Sequence, residues 1–245
     1  MNIEPIAFYH GPLTSKFGIP RQSGLATALQ GRIVFEPPYR HAEAVRGLEA
    51  FDYLWLIWEF SANRTDRTAC HSHDEKAGRR TDSGGSALKL TARPPRLGGN
   101  ERVGVFASRS PFRPNGLGLS CVHINKVDYE ALEGPVIHVA GADLMDGTPI
   151  YDLKPYVAYA DAHPGARSGF VDEHRWEPLP VVVPEVCRRQ LSSSDVAALE
   201  EVLAQDPRPR YHHDPARVYG MPFGGCDVRF RVHDGIVEVV DILCS

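Results

Sequence analysis

The chain has 245 residues, of which 42% are hydrophobic and 24% charged, with a formal net charge of −4. This composition excludes a wholly disordered chain and suffices for one large core or a core plus a small domain. The mild acidity argues against a general nucleic-acid binder, but the charge is uneven: residues 61–115 carry eleven Lys/Arg against five Asp/Glu, a local +6 that leaves −10 elsewhere.

In chain order, Ile3 to Tyr9 reads as a first strand. Ser15 to Gln22 (SKFGIPRQ) is a compact loop in which Gly18 and Pro20 punctuate Arg21 and Gln22. Gly31 to Phe35 is a short strand closed by Pro37-Pro38. Ala44, Val45, Leu48 and Phe51 predict a helix over His41 to Ala50, and Asp52 to Phe60 (DYLWLIWEF) predicts a strand buried on both sides. Ser61 to Leu90 has no periodicity and reads as a mobile loop. Within it Cys70-His-Ser-His73 resembles a metal-ligand cluster, but no second cluster stands at ligand spacing, so no metal is expected.

Val103 to Val122 (VGVFASRSPFRPNGLGLSCV) reads as two strands joined by a loop with Arg109, Pro111, Arg113, Pro114, Asn115, Gly116 and Gly118. Stiff Pro/Gly backbone presenting guanidinium groups beside N–H donors suits an anion or carboxylate; the same residues would also make an Arg-containing surface turn. Ile137 to Leu144 alternates as a strand. Asp146-Gly-Thr-Pro149 is a tight turn in which Asp146 can bond the backbone two residues on, and Ile150 to Tyr156 follows as a strand.

Six or more strands, few helices and no βαβ alternation point to an antiparallel sheet or barrel, and no stretch matches GxGxxG or a P-loop. Residues 163–184, rich in Pro, Gly and charge, read as a linker. Beyond them Ser194 can cap a helix with Val196, Leu199, Val202 and Leu203 on one face, stopped by Asp206-Pro207. Asp227 to Val232 and Ile236 to Ile242 flank Asp234-Gly235, a hairpin turn. The expected organisation is a barrel domain over 1–162, a linker over 163–184 and a small α+β domain over 185–245.

The longest apolar run, Leu54 to Trp58, is far short of a membrane span, and MNIEPIAFYHG lacks the pattern of a secretory signal. Five scattered cysteines fit reduced thiols in a cytoplasm better than a disulfide framework.

Three motifs, Phe17 to Gln22 (FGIPRQ), Arg93 to Leu119 and Asp143 to Tyr156 (DLMDGTPIYDLKPY), together resemble the TsaA/YaeB family, the TrmO-type tRNA methyltransferases. Asp206 to Tyr211 (DPRPRY) and the final hairpin resemble that family's C-terminal domain. The resemblance implies a mainly β (α+β) chain: a small antiparallel β-barrel that binds S-adenosyl-L-methionine, usually in a cytoplasmic homodimer, plus a small C-terminal domain. It implies methylation of N6 in threonylcarbamoyladenosine beside the tRNA anticodon. The cofactor would be held by Pro20, Arg21, Gln22, Arg109, Leu119, Asp146, Gly147, Thr148 and Pro149. Ser61-Ala62 depart from the His-containing pair that the family often carries there.

Asp146 could accept from the ribose or the ammonium of such a cofactor, while Arg21 or Arg109 could pair with its carboxylate. N6 of an acylated adenine is a poor nucleophile, so a group must take its proton. Asp143, Asp152 and Tyr156 are candidates for that role, and Arg113 or Lys154 for the threonyl carboxylate. Asp152 and Tyr156 could equally pair across strands. Arg79 and Arg80, in the basic insert, could meet phosphates of the anticodon stem-loop. A non-catalytic S-adenosylmethionine-sensing RNA-binding barrel is the alternative. A barrel hydrolase is a third reading, without a GxSxG elbow to support it.

Overall fold

The computed structural model describes residues 3–62, 90–94, 101–173, 176–209, 212 and 214–244. Six strands close into an antiparallel barrel: β1 (Ala7–His10), β2 (Gln30–Phe35), β3 (Tyr53–Glu59), β6 (Leu117–Asp128), β7 (Val136–Ala140) and β8 (Thr148–Pro155), in the order β1-β2-β7-β6-β3-β8. A two-stranded ribbon of β4 (Thr91–Ala92) and β5 (Val103–Gly104) stands apart from it. Closure leaves the barrel no free edge.

The inward-facing residues of the strands supply the barrel core, with Tyr9, Ile33, Leu54, Leu56, Trp58, Val122, Ile137 and Ile150 among its buried residues. β3 buries one face fully and the other in part, with Trp55 and Ile57 half-buried and Glu59 buried there. Leu54, Leu56 and Trp58 point inward, whereas Tyr53 on the other face is 44% exposed, so the expectation of a strand covered on both sides is corrected.

Two further expectations change. The helix over His41 to Ala50 is interrupted: α1 (Ala42–Val45) is one turn long, because Gly47 adopts φ 89° and only a 3₁₀ turn, Leu48–Ala50, follows. Val103 to Val122 is not a hairpin. Val105–Ala107 forms a 3₁₀ turn, and β6 pairs with β3 and β7 instead of with β5. Twelve residues of β6 find two long barrel neighbours, which outweigh any pairing across the Pro-containing loop.

Short helices α2 (Ala158–Asp161), α3 (Phe170–Glu173) and α4 (Glu185–Arg188) lead to α5 (Ser193–Ala204). The N-cap of α5 is Ser192, not Ser194: its hydroxyl accepts from Asp195 N at 3.1 Å, so capping begins two residues earlier than expected. Val196, Leu199, Val202 and Leu203 are buried against a four-stranded sheet ordered β10 (Tyr219–Phe223), β11 (Cys226–His233), β12 (Ile236–Cys244) and β9 (Val181–Val182). Asp234 and Gly235 take φ 51° and 74°, the left-handed pair that joins β11 to β12. Val181–Val182, inside the stretch that reads as linker, pairs in parallel with Val237 and Glu238. Cys226 and Cys244 stand opposite each other in register and are disulfide-bonded, which corrects the expectation of reduced thiols throughout; Cys121 and Cys187 are free.

Between β1 and β2 the chain leaves the barrel and returns. In this excursion Leu13, Ala26 and Leu29 are buried with α5 and the C-terminal sheet, not with the barrel. Phe17 stacks on Tyr219 and Phe230 at 6.3 and 6.2 Å, and a Cβ on Gly18 would overlap Met221 Sδ. Glu201 of α5 accepts from Ala28 N at 2.7 Å, and Gly224 N donates to Pro12 O at 2.9 Å. The C-terminal domain thus fixes the path of the loop that carries Pro20, Arg21 and Gln22.

Candidate functional site

At one end of the barrel three irregular segments meet: the excursion after β1, the loop between β5 and β6, and the Gly141–Gly147 connection between β7 and β8. The last is pinned by backbone bonds. Gly141 N donates to Leu29 O at 2.9 Å, Asp146 N to Leu13 O at 2.8 Å, and Gly147 N to Tyr9 O at 2.8 Å. Gly147 takes φ 74°, which closes the Asp-Gly turn, and Thr148 Oγ1 donates to Met145 O at 2.6 Å. Asp146 does not bond the backbone two residues on, as its sequence context suggests. Its Oδ1 instead accepts from Gly11 N at 3.2 Å and lies 3.1 Å from His10 Nδ1. Closure of β1 onto β8 brings that stronger, non-local partner within reach.

Arg109 NH1 bonds Gln22 Oε1, so two of the expected cofactor residues touch across 87 positions of sequence. Arg113 is committed to its own loop, donating to Ser108 O at 2.7 Å and Val105 O at 3.4 Å. Pro20 is buried. Arg21 lies over the Trp176 ring at 5.0 Å and lines a cleft of about 210 Å³ with Lys16, Phe17, Ile19, Gln205 and Pro207.

Asp143 sits where the three segments converge. Ser120 Oγ donates to its Oδ1 at 2.5 Å, and Trp58 Nε1 donates to Ser120 Oγ at 2.9 Å. Burial pushes the Asp143 carboxyl above its ordinary value, against the opposing pull of Ser120, backbone N–H groups and Arg109. Tyr9, fully inside the barrel, is raised by burial and then by the charges of Asp143 and Asp146, so its phenol stays protonated.

Of the other candidates, Leu119 adjoins Ser120 in the chain, and Asp152, Lys154 and Tyr156 lie farther along β8 or just past its end. Leu119 is 58% exposed on the outer face of β6, opposite Ile57. Asp152 and Lys154 are exposed along β8, and Asp152 Oδ1 accepts from Leu153 N at 2.9 Å. Tyr156 packs on Tyr53 and Trp55 at 6.0 and 6.1 Å, and its N–H donates to Tyr53 O at 2.9 Å, at the start of β3. Since an extended chain rises about 3.3 Å per residue, the eight steps from Thr148 to Tyr156 carry it roughly 25 Å from the Asp-Gly turn. Arg79, Arg80 and the Cys70–His73 cluster lie outside the described residues. Among the described residues no group of three or more His, Cys, Asp or Glu could hold a metal.

Sequence reasoning misses Ser120, Trp58, His10 and Ser23, whose backbone N–H bonds the Asp143 carboxyl. One signal was available: a glycine inside a strand marks close approach, and Gly118 stands opposite Trp58 in register.

The tRNA-methyltransferase O N-terminal domain matches residues 8–162, and the TrmO C-terminal domain matches residues 177–244. The tRNA (adenine(37)-N6)-methyltransferase of Escherichia coli is 35% identical over 244 residues, covering 96% of this chain and 95% of the relative. A putative S-adenosylmethionine-dependent methyltransferase of Pseudomonas aeruginosa is 36% identical over 253 residues, covering 98% and 97%. A crystal structure of TrmO from P. aeruginosa superposes with a TM-score of 0.72 at 30% identity, covering all of this chain and 97% of the other. With both domains matched and relatives aligned end to end, this chain belongs to the tRNA-methyltransferase O family.

Proposed function

We propose that the chain is an S-adenosyl-L-methionine-dependent tRNA methyltransferase acting on N6 of the adenine at position 37, and specifically on N6 of threonylcarbamoyladenosine. The observation that carries the reading is the junction at one barrel end, where Gln22, Arg109 and Asp143 meet beside the Asp146–Pro149 turn in a chain of this family. The name of the E. coli relative supports the adenine N6 chemistry, and that of the P. aeruginosa relative supports the cofactor. Family membership favours catalysis over a non-catalytic sensor.

The residues fit the cofactor's charges. The carboxylate of Asp146 and the guanidinium of Arg109 offer one charge of each sign, which matches a ligand carrying sulfonium, ammonium and carboxylate groups. When bound, the cofactor supplies an electrophilic methyl group. We assign Pro20, Arg21, Gln22, Arg109, Leu119, Asp146, Gly147, Thr148 and Pro149 to holding it. In-line transfer demands orientation more than covalent chemistry. The stiff Gly147 turn and the C-terminal domain behind the Pro20–Gln22 loop provide that orientation. Arg79, Arg80 and Lys154 are proposed contacts to the tRNA anticodon stem-loop; Arg113, tied to its loop, shapes the site from behind.

We further propose a cytoplasmic homodimer. No helix among the described residues is long and apolar enough to cross a membrane. The closed barrel has no edge to pair, so a dimer would use its outer face, where Tyr53, His123, Tyr156 and Trp55 form an aromatic patch. Light scattering at micromolar concentration should give twice the chain mass, and a monomer mass would remove the dimer. Transfer of labelled methyl to bulk tRNA, with the product nucleoside identified by mass spectrometry, tests the activity. Cofactor binding without methyl incorporation would favour the sensor.

A further inference from the structure

We propose that Asp143 takes the proton that leaves N6 during methyl transfer, and that Ser120 and Trp58 are positioning residues holding its carboxylate toward the reacting atoms. The inference rests on the methyltransferase reading of the same site and goes beyond it by selecting the proton acceptor.

With Asp143 ionised, the hydrogen-bond chain runs in one direction. An indole N–H donates and cannot accept, so Trp58 Nε1, 2.9 Å from Ser120 Oγ, takes up a lone pair of that hydroxyl. The single hydroxyl proton of Ser120 is thereby aimed at Asp143 Oδ1, 2.5 Å away. Trp58 and Ser120 are 6% and 1% exposed, so water competes weakly for either link. One acceptor site of Asp143 is therefore occupied, and the Ser23 backbone N–H takes another. The remaining lone pairs of the carboxylate face an incoming proton in a fixed orientation.

Balance of the step follows from the chemistry. N6 donates its lone pair to the methyl carbon as the methyl–sulfur bond breaks, leaving those electrons on sulfur. The N6–H bonding pair stays on nitrogen while the proton passes to Asp143. The products are a neutral thioether, a neutral methylated nitrogen and a protonated carboxyl.

The charged and titratable groups facing Asp143 are Arg109, from the loop between β5 and β6, and Tyr9, from β1. Arg109 favours the carboxylate and Tyr9 stays neutral, while burial outweighs the Arg109 pull and raises the carboxyl above its ordinary value, the direction that strengthens a base. The other candidates are worse placed. Tyr156 is at the opposite end of β8, Asp152 is exposed on its flank, and Asp146 is tied to Gly11 and His10.

The test uses the full chain, single-turnover methyl transfer to tRNA bearing threonylcarbamoyladenosine across a pH series, and calorimetric cofactor affinity. Asp143→Asn should lower the transfer rate by about 10²- to 10⁴-fold, abolish the acid limb of the profile and leave cofactor affinity unchanged. Ser120→Ala keeps the base but loses a donor that stabilises its charged form, so the acid limb should move to higher pH. Trp58→Phe should move it in the same direction by less. If Asp143→Asn does not fold, the Ser120→Ala profile decides. A parent-like rate and profile in Asp143→Asn, or a slower Ser120→Ala enzyme whose acid limb has not moved, overturns the assignment. A parent protein that binds cofactor but never methylates tRNA overturns the functional reading itself, and this inference with it.

Discussion

Gly118 lies directly against the Trp58 indole: a Cβ at position 118 would overlap ring atom Cε2 and stand 2.5 Å from Cζ2. The two residues are opposite in the β3–β6 register, and the missing side chain lets the indole lie across the strand and reach Ser120. Gly118→Ala should destabilise the protein by about 1–3 kcal/mol through overpacking. Urea denaturation checks this, and an unchanged midpoint would show that the indole has room to move.

Asp146 binds the end of β1 through His10 and Gly11 while facing the proposed cofactor rim. Asp146→Ala should weaken S-adenosylmethionine binding by about 1–3 kcal/mol, the cost of losing a partner in a partly buried polar set. Calorimetry on the folded variant reads this directly, and unchanged affinity would remove Asp146 from the site.

Asp143 has a pH signature in stability as well as in rate. Its folded-state pKa is raised above the ordinary value of 3.8, so the native protein holds the proton more tightly than the unfolded chain. Its contribution is fully present below that ordinary value and is lost as pH rises through the folded value. At neutral pH the buried carboxylate is therefore a liability. Asp143→Asn should raise the thermal midpoint at pH 7, with the gain shrinking toward pH 4. An equal effect at both pH values would mean that the carboxyl is not titrating as described.

The C-terminal domain is expected to act on cofactor binding at a distance. Phe17 stacks on Tyr219 and Phe230 while its neighbours Pro20 to Gln22 serve the site. Phe17→Ala should cost about 1–3 kcal/mol of stability, less than a fully buried Phe because this ring is partly exposed, and should raise the cofactor Kd. A Kd equal to that of the parent would show that the loop holds its shape without the domain behind it.

Most strands and the closing hairpin were legible in the sequence because their signals are local. The apolar run over Asp52 to Phe60 and the alternation that begins at Ile137 need only neighbouring side chains, and Asp234-Gly235 encodes its turn through the backbone freedom of two residues. Local spacing failed at His41 to Ala50, where Gly47 breaks a helix-like pattern, and at Val103 to Val122, where β6 found better partners in the barrel. Motif resemblance named Gln22 and Arg109, and the need for a proton acceptor named Asp143 beside Asp152 and Tyr156. Their meeting depends on barrel closure, which brings together residues far apart in the chain.

By itself, then, the sequence determined an antiparallel β protein with a second α+β unit and a set of polar loop residues suited to a charged cofactor. Only the tertiary structure decided that the Gly11–Leu29 excursion belongs to the C-terminal core, and that Trp58, Ser120 and Asp143 form one chain from β3, β6 and the β7–β8 connection. The physical reason is that period and turn chemistry are short-range properties of the backbone. A buried hydrogen bond instead depends on which strands become neighbours, and that is fixed when the whole barrel closes around its core.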